Sequence, residues 1–224
     1  MIKHLKNCLL LLFILSRYYV FAQSTDTQLR TGAEISIDTK SKLSFSCEIE
    51  QRLYKNITSF DHFLIQPTVS YNISKNLRIK FNHRFKIRNN KEGCKNRQRT
   101  NISVRYKYSF KQFEVKFRTA LQYNFDRLSE SLFVVDRNLS SRNLFGTKYD
   151  IFGSRFAPYI NFEMFYPLSS HEKSVINEIR VIAGTNIYLT PASEIVIYYI
   201  FLNEFNTIYP EDANIIGLGF NYKL

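Results

Sequence analysis

The side chains of this chain that could do chemistry are mostly cations, and they recur at every second position. In LRIKFNHRFKIR (77–88), Arg78, Lys80, Arg84, Lys86 and Arg88 share one parity. Leu77, Ile79, Phe81, His83, Phe85 and Ile87 share the other. Arg99, Arg105 and Lys107 repeat the pattern in the next segment, and Lys116 and Arg118 in the one after. Rows of guanidinium and ammonium groups along a wall can favour anions, as charged rings do in selective pores. Acids take the polar parity of other segments: Glu34, Glu48, Glu50, Glu163, Glu178, Glu194 and Glu204. Facing the cations across a narrow interior, these acids would pair with them and fill it. A basic eyelet and a charge-paired plug are therefore both open readings.

Nucleophilic chemistry needs a nucleophile with a general base in reach. Past residue 22 the histidines are His62, His83 and His171. His62 sits beside Asp61 and near Ser59, His171 beside Ser169 and Ser170, and His83 on the apolar parity. Such sets arise by chance in most chains. No glycine-rich phosphate loop, acidic metal cluster or Cys/His metal spacing occurs. We expect no catalytic residue, no metal and no cofactor, and no enzymatic activity; a lipid hydrolase or acyltransferase built on His62 is the weakest alternative.

The elements that must position these residues are strands, because alternation with period two puts the two sets on opposite faces. Segments with this alternation run at 29–38, 42–54, 62–73, 77–88, 99–110 and 113–125, with weaker versions near 142–152, 156–166, 177–190, 194–205 and 213–224. Short connectors fall near 39–41, 74–76, 111–112, 153–155 and 190–193. Longer ones are expected at 55–60, 89–98, 126–141, 167–176 and 206–212. An eleven-strand count would be odd, whereas bacterial single-chain barrels are usually even. We expect ten or twelve strands, with 128–136 or 23–28 hiding the discrepancy.

Residues 1–22 are a separate object. Lys3 and Lys6 precede an apolar run from Cys8 to Leu15, and the small residue Ala22 follows, the layout of a cleaved secretory signal peptide. The run is too short to span a bilayer as a helix. Its removal takes away Lys3, Lys6 and Arg17 and no acid, leaving a single domain over 23–224. Cys47 and Cys94 remain, one on an apolar parity and one in a polar segment, and read as unpaired thiols. The net charge of +12 raises nucleic acid as a partner. Without a helix-turn-helix, zinc-finger or stacking motif, the cations read as one polar strand face, and we expect no nucleic acid.

Three features decide which face is wet. The alternating runs exceed the usual globular strand of about 5–6 residues and match the roughly 9–11 needed to cross a bilayer at a tilt. The apolar parity carries most of the 20 Phe and 15 Tyr, more than the lumen of one barrel can hold. Short turns alternate with longer loops after an export signal. These predict an all-β, antiparallel up-and-down transmembrane β-barrel of about 10–12 strands, with short periplasmic turns and longer outer loops. Its partners would be outer-membrane lipid, the barrel-assembly machinery, and small anions or lipopolysaccharide. A surface-binding barrel acting through its long loops and a soluble periplasmic β-protein are the alternatives.

Several stretches stand in a telling order: TGAEIS, KSKLSFSCEIEQRL, YNISKNLRIKFNHRFKIR, APYINFEMFYPL, a strand–turn–strand at 179–205, and the terminal IIGLGFNYKL. Over about 28–224 the chain resembles the uncharacterised Gram-negative outer-membrane β-barrels grouped as domain of unknown function 2490. It differs in carrying Leu29–Arg30 where the family often has a Trp. The resemblance implies a barrel in the outer membrane, and no particular activity. The last strand likewise resembles the terminal strands of outer-membrane barrels, although it ends on Leu224 and not on the commoner Phe.

Overall fold

Each alternating segment forms a strand, and the strands close on themselves. The computed structural model describes residues 25–90, 93–127, 135–169, 175–207 and 210–224, and leaves the side chains of 88–96 and 126–138 undescribed. The expected signal peptide and His171 lie outside the described residues. The strands are β1 (Thr25–Asp38), β2 (Leu43–Tyr54), β3 (Ser59–Asn72), β4 (Leu77–Asn90), β5 (Gly93–Phe110) and β6 (Phe113–Arg127). They continue as β7 (Val135–Tyr149), β8 (Phe156–Pro167), β9 (Glu178–Thr190), β10 (Ser193–Glu204) and β11 (Asp212–Lys223). Neighbours in sequence pair antiparallel around the ring, and β1 closes on β11.

The ring has eleven strands, which corrects the expectation of ten or twelve. Strands that alternate in direction leave the first and last of an odd set pointing the same way, so their pairing must be parallel. β1 and β11 pair so from Thr25↔Asp212 to Ser36↔Lys223. Residues 25–28 do not form a further strand; they lengthen β1. The ring also closes without a strand from 128–134, which lie outside the described residues. An otherwise antiparallel barrel therefore has one parallel seam, and Thr25 lies at the opposite end of the barrel from Leu224.

Three expected long connectors are also corrected. β6 runs to Arg127 and β7 starts at Val135, so 126–127 and 135–141 of the expected 126–141 connector are strand. β4 and β5 continue to Asn90 and from Gly93, pairing through Asn90↔Gly93, so most of 89–98 is ladder. Residues 55–58 form a tight turn with Lys55, Asn56 and Ile57 all in the left-handed region, at φ 53°, 54° and 66°. Such φ values strain a β-branched residue. Hydrogen bonds to β1 hold the turn: Asn56 N donates to Asp26 Oδ1 (2.9 Å) and Ile57 N to the Thr27 carbonyl (3.2 Å). The polar start of β1 thus clamps the β2–β3 turn, which is why this strand begins earlier than its hydrophobic alternation.

The faces are inverted relative to a soluble barrel. Phe81 is 46% exposed on the outside, whereas inward-pointing Leu64 is fully buried. Ile35, Phe45, Phe85, Tyr108, Phe117, Phe145 and Phe201 share the outer face, and so do Ile216, Leu218, Phe220 and Tyr222 of the last strand. Cys47 is a free thiol on this face. The interior has a local core of Ile200, Leu202, Ala213 and Ile215, with Ile182 and Tyr198 against it. Two inward glycines make room for rings. A Cβ on Gly217 would fall inside the Tyr198 ring at 1.9 Å, and one on Gly184 would meet the Tyr159 ring at 2.8 Å. Among the described residues no helix is long and apolar enough to cross a membrane.

The seam gives a direct test. Thr31 and Leu218 are register partners on the outer face. Adjacent strands lie about 4.8 Å apart, within disulfide reach. In a background lacking Cys47 and Cys94, T31C/L218C should cross-link on mild oxidation. A twelve-strand ring would hold them about 10 Å apart and leave the thiols free.

Candidate functional site: a cationic lumen

The inward parity of β4–β6 carries the expected cations, and the register sets them against one another. Arg78 stands opposite Arg105, and Arg105 opposite Arg118, so three arginines cross three strands in one row. Lys107 stands opposite Lys116. Nearer the other end Arg84 stands opposite Arg99, and Lys86 opposite Arg97. Like charges directly opposite on a sheet repel, so this wall keeps a strong positive potential. Lys80 adds to it between the two groups. Arg88 has the same parity and stands opposite Lys95, but its side chain lies outside the described residues.

Four of these cations use neutral partners. Arg78 donates to Asn72, Arg84 Nε to Gln66 Oε1 (2.8 Å) and Arg99 Nε to Asn124 Oδ1 (2.8 Å). Lys116 lies over the Tyr159 ring, 5.6 Å from its centroid. Arg105 Nε is buried without a hydrogen-bond partner. At the short-turn end Lys107 Nζ pairs with Glu114 Oε2 at 2.6 Å, and Lys148 Nζ lies 3.7 Å from the same oxygen.

The acids do not form a separate wall facing the cations. Five of the seven have a local side-chain partner. Glu163 on β8 is completely buried; Arg142 from β7 grips it with Nε at 2.6 Å and Nη2 at 2.7 Å, and Arg118 reaches it from β6. Phe165 lies between the guanidinium groups of Arg142 (4.9 Å to the ring centroid) and Arg180 (4.4 Å). Arg180 bonds Glu178, and Arg52 bonds Glu50. Glu48 accepts from Gln66 Nε2 at 2.8 Å, and the other side of that amide receives Arg84. Glu194 accepts from Asn186 (3.0 Å) and Asn221 (2.8 Å). Glu34 stands opposite Glu48 in register, and the Glu204 backbone bonds the Glu211 carbonyl at 3.1 Å.

Arg142 and Arg180 complete these networks, and Arg30, opposite Arg52 in register, is buried with its Nε unpartnered; sequence reading singled out none of the three. Their parity matches Glu34, Lys148 and Glu178 of their own strands, a signal that was available. The inner apolar cluster of β9–β11 was not, because both parities of those strands are apolar.

His62 and Asp61 form a pair, Nδ1 to Oδ2 at 2.7 Å. The register of β2 on β3 shifts here, with Arg52 opposite His62 and Leu53 opposite Phe60. This irregularity leaves Asp61 without its own rung and lets it turn to His62. His83 faces outward, its Nδ1 2.9 Å from Thr100 Oγ1 and its ring edge-on to Phe85.

These features define a closed β-barrel with an apolar outer face and a cationic, braced interior. The chain belongs to the family described as protein of unknown function DUF2490, whose model matches residues 27–211. No curated protein matches it. Two solved barrels are similar in fold. One is the NanC porin, with 12% identity, 78% of this chain and 87% of that chain covered, and a TM-score of 0.46. The other is the β domain of the Bordetella autotransporter BrkA, with 11% identity, 82% of each chain covered, and a TM-score of 0.45.

Removing the buried Glu163 carboxylate leaves two half-buried guanidinium groups without their anion, and their partial exposure puts the cost at the lower end of the buried-pair range, about 3 kcal/mol. Glu163→Ala should lower the urea midpoint accordingly. Arg118→Ala, which leaves the bidentate Arg142 pair intact, should cost clearly less. Equal midpoints for wild type and Glu163→Ala would show that the brace contributes nothing.

Proposed function

We propose that this chain is an outer-membrane β-barrel of a Gram-negative bacterium, exported by the segment 1–22, whose narrow basic lumen passes small anions. The observation that carries the reading is the inversion of faces: rings outside, cation set against cation inside. In lipid every backbone N–H and C=O must pair internally, and a closed barrel does this with strands. Lipid is then the partner of the outer face, and the assembly machinery reads the last strand. Nucleic acid has no part in this reading.

The role is non-catalytic. Supporting this, the hollow beside His62 is lined by cations and amides, with no hydroxyl or thiol nucleophile among its lining residues. A surface-binding role has less to work with, since 93–98 continues β5. A second reading, a closed structural barrel, is favoured by the Arg118–Glu163–Arg142 brace and by the Tyr159 and Tyr198 rings inside the ring of strands.

Two measurements separate these. The unheated protein from the outer-membrane fraction should migrate differently from the boiled sample; a soluble periplasmic protein with no shift would overturn the membrane reading. In planar bilayers the barrel should conduct with anion preference, and Lys80→Glu/Lys116→Glu should move the reversal potential toward cations. A heat-modifiable barrel without conductance would be the structural one.

A further inference from the structure

We infer that the cavity at the outer end of the lumen, between β2 and β6, is a binding site for a compact oxyanion bearing two or more negative charges, of the phosphate kind. It encloses about 140 Å³, and Arg52, His62, Arg84, Lys86, Arg97 and Arg99 form most of its wall. The inference rests on the proposed barrel for access from outside, and not on conduction.

Placement is the first argument. Arg84/Arg99 and Lys86/Arg97 are successive inward rungs of the same hairpin, so four cations stand within two rungs. The Arg84/Arg99 rung, whose hydrogen-bond partners are amides, is unfavourable for an empty sheet and favourable for one that holds an anion. Arg97 also stands opposite Asp126 in register, whereas Arg84 and Arg99 stand opposite only each other and an amide.

Orientation is the second. Gln66 and Asn124 accept the Nε–H groups of Arg84 and Arg99. These bonds fix the guanidinium planes and leave the Nη edges for a ligand. A planar guanidinium fork matches two oxygens of a phosphate or carboxylate. Two forks from adjacent strands would hold a group with several oxygens better than a monoatomic anion.

Local neutralisation is the third. Neither Arg84 nor Arg99 makes an ion pair with a described residue, because the nearby acids are engaged elsewhere. Glu50 holds Arg52, Glu48 bonds Gln66, and Asp61 holds His62. Arg84 and Arg99 therefore carry charge that no described carboxylate pairs directly.

The test uses the full mature chain, folded in neutral detergent, with inorganic phosphate titrated against chloride at constant ionic strength. Calorimetry and the heating temperature at which the gel-mobility shift is lost are the readouts. Phosphate should bind saturably and raise that temperature. Arg84→Gln/Arg99→Gln should weaken binding at least tenfold, Arg84→Lys/Arg99→Lys should recover part of it, and Lys80→Gln/Lys116→Gln should bind as wild type. Unheated gel mobility verifies folding of each variant. A parallel arm adds a phosphate-monoester lipid to the micelle: protection by free phosphate assigns the site to a solute, and protection by the lipid alone assigns the same oxyanion site to a headgroup. Equal effects of phosphate and chloride, or equal losses in the Lys80/Lys116 variant, would overturn the site in favour of a diffuse positive field. Binding without conductance would retire the pore and keep the site; conductance without phosphate preference would do the reverse.

Discussion

Closure of β1 on β11 is the constraint on which the rest depends. A sheet edge presents unpaired N–H and C=O groups, and against lipid each unpaired group costs several kcal/mol. Closing the ring removes both edges at once. Only then can Phe81, Phe117 and Phe145 face outward without an exposed backbone beside them. With eleven strands the closing pair is parallel, slightly weaker per residue than an antiparallel one. Its register nevertheless spans Thr25 to Ser36, nearly the whole of β1.

The interior then has a difficult task. A ring of this size leaves little free cross-section, yet its inward parity carries long charged side chains from most strands. The solution is local. Arg142 and Arg118 meet over Glu163, Phe165 is held between two guanidinium groups, and the glycines at 184 and 217 make room for tyrosine rings. Buried ion pairs add little net stability compared with a hydrophobic replacement, but removing one member is costly. The braces are best understood as fixing side chains in place within the lumen.

Charge is distributed unevenly around the ring. β9–β11 add an aliphatic and tyrosine patch beside Arg180 and Glu194, Glu50 on β2 and Glu163 on β8 are tied to arginines, and β4–β6 carry cations in register. Where acids lie beside cations the wall is neutralised and tightly packed. Where cations face cations, at Arg84 and Arg99, amides and not carboxylates take the Nε donors. An anion drawn into this barrel would meet its strongest field along one side.

Much of the architecture was legible in the chain alone. Period-two alternation found all eleven strands, with most ends within a few residues and the starts of β5 and β7 six and seven residues late, because the side-chain period of a strand is set by covalent geometry. It also assigned Arg78, Arg84, Arg105 and Arg118 to one face and the rings to the other. What alternation carries no information about is pairing. The strand count, the parallel seam and the extension of β4–β5 through 93–98 depend on which backbones hydrogen-bond. The partners of Glu163 lie 21 and 45 residues away along the chain, and the apolar inner wall of β9–β11 was hidden because both parities there are apolar. The sequence by itself determined which side chains share a face. Only the closed barrel decided which of them touch, because cross-strand register, a long-range property, sets cation against cation and glycine against tyrosine.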